Sequence, residues 1–171
     1  MFKNHTYQHT IHFSVWFLTC KHNRFRSKVA EAIFNTEIKK LISAPKTPIK
    51  NKEGVLDELN KNKKIIAESA GIIGSENSTP DSVINILKEK GYEVKRKAAK
   101  RVDSIKINDY DILIITADNV DPLFFKDSFK GKIIWWKISD CMDTDIKGIK
   151  KRVNEIEENV KELVKDLKES S

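Results

Sequence analysis

Residues 12–34 read HFSVWFLTCKHNRFRSKVAEAIF. The opening eight, His12–Thr19, are rich in aromatic and β-branched residues, which predicts a buried strand. From Ser27 onward, Val29, Ile33, Ile38, Leu41 and Ile42 fall on one broad apolar face, which predicts a helix. Between the two lies CKHNRFRS. In open α/β sheets ligands bind in the crevice beyond the carboxyl ends of the strands, so this loop is the first place to look for chemistry. Such a loop aims backbone N–H groups at one point, and the helix N-terminus adds positive potential. A cysteine at its base, Cys20, has its thiolate favoured by the same field. Arg26 presents a planar fork that matches two oxygens of a tetrahedral oxyanion. Ser27 is placed to donate a hydrogen bond to the thiolate. The stretch Lys21, His22, Asn23, Arg24 and Phe25 completes an expected substrate-binding anion cradle.

The same alternation continues down the chain. Ile65–Ser69, Tyr110–Thr116 (YDILIIT) and Lys132–Ile138 (KIIWWKI) read as strands. Tyr92–Val94 reads as a brief extended piece. Thr79 is an expected N-cap with Pro80 at the first helical position, Val83, Ile84 and Leu87 inward, and Gly91 as terminator. Residues 144–169 form an expected amphipathic helix in which Ile146, Ile149, Val153, Ile156, Val160, Leu163 and Leu167 recur at alternating steps of three and four. That seam suits a coiled-coil dimer, but three heptads is the lower limit for one, and packing on the chain's own sheet is preferred. Strands separated by helices predict an α/β fold of three layers, a four-stranded parallel sheet with helices on both faces. We read residues 1–171 as one domain. Residues 1–11 are expected to be a flexible extension, and 43–63, rich in charge and carrying prolines, a surface insertion.

The chain has 171 residues, of which 33% are charged and 39% apolar, enough for one core and unlike disordered or collagenous compositions. No apolar run reaches the roughly 18–20 residues of a membrane span. Two cysteines are too few for a secreted disulfide framework, so a cytoplasmic location is expected. The net charge is +7, with 20 Lys/Arg against 10 Asp/Glu in residues 1–101. Those cations are scattered without interleaved aromatics, which disfavours nucleic acid and suits a phosphorylated small molecule or phosphoprotein. His5, His9 and His12 lack a carboxylate or cysteine at ligand spacing, so no metal site and no cofactor are expected.

The loop and the helix after it resemble the low-molecular-weight protein tyrosine phosphatases and the thioredoxin-type arsenate reductases, whose signature is Cys-x-Gly-Asn-x-Cys-Arg-Ser and then Met-Ala-Glu. Cys20, Asn23, Arg26 and Ser27 match the loop, and Ala30, Glu31 and Ala32 match the helix. Ser69, Ala70 and Gly71 resemble the second strand end. Asp111 and Asp118 resemble the third strand and its turn, and Trp136 and Asp140 the stretch around the general acid. The resemblance implies phosphate-monoester hydrolysis through a phosphocysteine. Cys20 would be the nucleophile, Arg26 with the backbone of 21–26 the clamp, Asn23 a brace and Asp140 the acid and base.

Departures from the signature touch the walls of the site. His22 stands where the family has glycine, which would strain the loop if that position needs a positive φ. Phe25 replaces the second loop cysteine, Lys28 a proline or glutamine, and Cys141 a proline. Phosphotyrosine preference therefore does not carry over. The arsenate-reductase alternative needs further thiols, and ADNVDPLFFKDSF (117–129) contains none. A third reading is a non-catalytic oxyanion-binding relative. Cys141 is either a resolving thiol for Cys20 or, as preferred, a small buried apolar side chain.

Overall fold

A computed structural model describes residues 15–18 (backbone), 21–43, 65–95 and 98–169. The extension expected at 1–11, nearly all of the insertion expected at 43–63, and Cys20 lie outside the described residues.

Four strands form one sheet: β1 Val15–Leu18, β2 Ala67–Ala70, β3 Ile112–Ile115 and β4 Lys132–Trp135. Their order is β2-β1-β3-β4, and every neighbouring pair is parallel. Leu18 stands opposite Ala70 on one side and Ile115 on the other. The chain leaves β1 for one neighbour and returns past it to the other, so the carboxyl end of β1 is where the strand order reverses.

Among the described residues three α-helices accompany the sheet: α1 Arg26–Ser43, α2 Asp81–Glu89 and α3 Ile146–Glu169. All four residues of β3 are buried, as a strand covered on both faces must be. Ile112 and Ile114 join Val29, Ile33 and Phe34 of α1, Leu87 of α2, and Val153, Ile156 and Val160 of α3 in the larger core. Leu113 and Ile115 point the other way, into a smaller core with Val120, Phe125 and Phe129. Val102, Ile105 and Ile107 pack against that smaller core from two 3₁₀ turns and the two-residue link between them. Helices were expected on both faces of the sheet; among the described residues the α-helices gather in the larger core, and single 3₁₀ turns line the smaller one.

Several element ends shift from the sequence expectation. The cap of α2 falls on Pro80, whose carbonyl accepts from Val83 N and Ile84 N, and no side chain caps it. Tyr92–Val94 is not a strand; Tyr92 is instead buried, its hydroxyl 2.9 Å from Glu157 Oε1. β4 stops at Trp135, three residues short, and frees residues 136–145 as an irregular segment. The apolar seam of α3 packs within its own chain, with Ile149, Val153, Ile156 and Val160 at most 1% exposed, while Ile146 stays exposed. Among the described residues no helix is long and apolar enough to cross a membrane.

Candidate active site

The loop between β1 and α1 turns on Asn23, whose φ of 52° makes it the one non-glycine residue in the left-handed region among the described residues. Asparagine tolerates that region because its short amide bonds locally. Here Nδ2 donates to Ser27 Oγ and Ser69 Oγ, each at 2.8 Å, and Oδ1 accepts from Lys100 N at 2.9 Å. Ser69 in turn donates to Glu31 Oε2. A brace therefore runs from the first turns of α1 through the end of β2 into the loop. The strain foreseen at His22 does not arise, because the positive φ sits one residue later; His22 Nδ1 lies 3.2 Å from the Gly74 carbonyl. Gly71 seats the loop against β2: a Cβ there would stand 2.9 Å from Asn23 N. Lys21 is exposed, and its carbonyl accepts from Ile73 N.

Phe25, in the place of a loop cysteine, is buried in the larger core, and its carbonyl accepts from Val29 N in the first turn of α1. That anchors the loop from below and aligns Arg26 at the helix start. No acidic residue of α1 itself occupies its first turn, and the positive end of the helix dipole faces the loop.

Arg26 is fully buried. Its Nη1 donates to Ile138 O at 2.7 Å and to Asp118 Oδ1 at 3.3 Å, and its Nη2 donates to Asp140 Oδ2 at 3.0 Å. Two half-exposed carboxylates thus compensate a guanidinium withdrawn from water, which burial demands. Arg26 Nε is buried with no hydrogen-bond partner among the described residues. An orphaned charged donor of this kind is costly unless a further acceptor completes it. Arg24, the other guanidinium of the loop, is partly exposed and reaches outward to Asp143 Oδ2 at 2.8 Å.

Arg26, Asn23, Ser27 and Asp140, expected at one site, lie together, Asn23 bonded to Ser27 and Arg26 to Asp140, while three further partnerships had no sign in the resemblance. Asp118 and Asp140 share Arg26, Arg24 pairs with Asp143, and Lys28 is buried, 3.9 Å from Glu31. Glu31 lies four residues beyond Ser27 on one helix, so the i, i+4 spacing was the available sign that both face the loop. Cys141 is a free thiol, partly buried against the larger core. Burial, then the negative charge of Asp140, pushes its pKa up, against smaller opposing effects of Arg152 and Arg26. A thiol so placed resists ionisation and is a poor nucleophile.

The parallel sheet, with a buried-arginine loop where its strand order reverses, defines an α/β protein of phosphatase-like architecture. The chain belongs to the low molecular weight phosphotyrosine protein phosphatase family, whose model matches residues 51–171. Similar solved structures include an arsenate reductase from Archaeoglobus fulgidus, 26% identical over 88% of this chain and 98% of that one, with a TM-score of 0.62. A low molecular weight protein tyrosine phosphatase from T. tengcongensis is 20% identical over 91% and 99%, with a TM-score of 0.67. The YwlE arginine phosphatase from Geobacillus stearothermophilus is 17% identical over 92% and 94%, with a TM-score of 0.63. No curated protein sequence matches the chain.

Proposed function

We propose that the chain hydrolyses phosphate monoesters through a phosphocysteine on Cys20. The observation that carries this reading is the buried Arg26 guanidinium, positioned by three acceptors and with its Nε donor unsatisfied among the described residues, at the start of α1. A phosphoryl oxygen is the acceptor that such a donor lacks.

In this mechanism the Cys20 thiolate attacks phosphorus in line, forming the S–P bond as the P–O bond to the leaving group breaks. Ser27 donates to the thiolate, and Arg26 with the loop backbone holds the phosphoryl oxygens while charge spreads over them. Asp140 gives its proton to the leaving oxygen, then takes one from the water that cleaves the S–P bond and releases phosphate. In the unliganded site Asp140 leans on Arg26. A bound phosphoryl group competes for that guanidinium and frees the carboxylate, which takes up a proton from solvent and turns to the leaving oxygen. The loop supplies the positive charge, and its substrates are phosphorylated small molecules or phosphoproteins. A cytoplasmic location accords with this chemistry, since an ionised cysteine nucleophile persists where thiols stay reduced.

Arsenate reduction is the second reading, favoured by the likeness to the Archaeoglobus arsenate reductase. A thiol relay for it would have to recruit Cys141, whose raised pKa and packing against the core oppose that role. Turnover of p-nitrophenyl phosphate by the wild type and its loss in Cys20→Ser, beside an arsenate-reduction assay, separates the readings. Hydrolysis that survives Cys20→Ser removes the phosphocysteine. Thiol-dependent arsenate reduction without hydrolysis selects the alternative, and inactivity in both assays selects the oxyanion-binding relative.

A further inference from the structure

The segment that carries Asp140 is tied down at three places. At its start, Ile138 O accepts from Arg26 and Ser139 O accepts from Arg152 Nε of α3 at 2.9 Å. At its end, Asp145 caps α3, its Oδ1 accepting from Gly148 N at 2.9 Å and its carbonyl from Ile149 N at 2.8 Å. Between Asp140 and Asp145, Asp143 joins the segment to the rest of the fold twice: its Oδ2 accepts from Arg24 Nη2 at 2.8 Å, and its backbone carbonyl accepts from Ser82 Oγ of α2 at 3.1 Å. Arg24 is itself steadied by Ser78 O, which accepts from its Nε at 3.3 Å.

We infer that the Arg24–Asp143 pair is a latch that positions Asp140 over the loop, making Arg24 and Asp143 positioning residues for leaving-group protonation. The inference rests on the phosphatase reading for its kinetic consequence, but not for its structural one. Arg24 stands two residues from Arg26 and Asp143 three from Asp140, so one ion pair parallels the other at the rim of the same site. A phosphoryl group takes Arg26 away from Asp140, and at that moment Arg24–Asp143 is the ionic tie that keeps the segment closed. The pair is water-exposed, with side chains 29% and 51% accessible, so salt weakens it.

Two measurements on wild type, Arg24→Ala, Asp143→Ala and the double variant test this. Hydrogen exchange of the peptide spanning 139–145 should speed up about threefold in each single variant, and in wild type when salt is raised, because an exposed pair contributes only that order of restraint. Turnover of phenyl phosphate, whose leaving group needs the proton, should fall about three- to fivefold. Turnover of p-nitrophenyl phosphate should fall less, and the double variant should be no worse than either single one. Unchanged exchange overturns the latch, whatever the activity. Faster exchange with equal slowing of both esters overturns the positioning role. If the wild type hydrolyses neither ester, the phosphatase reading fails, and exchange alone decides whether the latch exists.

Discussion

Asn23 spends both of its amide donors and a bond to its carbonyl oxygen on holding a conformation that most side chains avoid. Alanine at that position would remove three bonds and keep the left-handed φ, a combined cost of about 3 kcal/mol. Asn23→Gly relieves the backbone but not the lost bonds, so it should unfold in urea at a midpoint between Asn23→Ala and wild type. Arg26 makes a different demand. Lysine in its place keeps the charge and loses the fork that reaches Asp118, Ile138 and Asp140 together. Arg26→Lys should lower kcat/KM for p-nitrophenyl phosphate by about 100-fold or more, the usual weight of one lost oxyanion donor; an unchanged value would reduce the arginine to a point charge.

At the scale of elements, α1 and α3 are joined by a polar knot at the rim of their apolar contact. Glu157 of α3 accepts from Lys90, Tyr92 and Lys161, and Tyr92 also reaches Glu37 of α1 at 3.3 Å. Burial pushes the Glu157 carboxyl up, but the three hydrogen bonds outweigh it and hold its pKa at about 2, below the ordinary 4.5. A depressed carboxyl stabilises the fold above its unfolded pKa, and that contribution disappears as pH falls from 4.5 toward 2. Glu157→Gln should therefore cost up to about 3 kcal/mol at pH 7, and the gap to wild type in urea unfolding should close toward pH 2. A gap independent of pH would assign the loss to packing. These elements were largely legible beforehand. Ile112–Ile115 and the seam of α3 declare themselves by apolar pattern, because burial acts directly on residue type. The loop's candidate residues were legible from the strand–loop–helix context. The polar partnerships were not, since Asp118, Asp143, Glu157 and Lys100 are joined by side-chain reach across the fold, which no local period encodes. β4 ends early for the same kind of reason: Trp136 N still bonds Ile115 O, but beyond it the chain turns to serve Arg26.

Across the whole molecule, α3 closes the larger core under both α1 and the sheet. Ile156, fully buried, is one of its keystones. Ile156→Ala should cost about 2–5 kcal/mol of unfolding free energy without altering the leaving-group dependence of turnover, since it lies in the core and not at the site. A selective kinetic effect would show that the core and the Asp140 segment are coupled. The order β2-β1-β3-β4 has another consequence, which concerns time. No two neighbouring strands are joined by a hairpin, so every pairing closes a long stretch of chain: Val15 meets Ala67 and Ile112, and Ile112 meets Lys132. The strand that emerges first from synthesis sits in the middle of the sheet and waits for partners made much later. Loop closure of that kind comes before any reward from contacts, so refolding belongs to the slower, non-local regime. Until β3 arrives, one edge of β1 stands open to other chains, and dilution or a holding chaperone should raise the yield of folded protein.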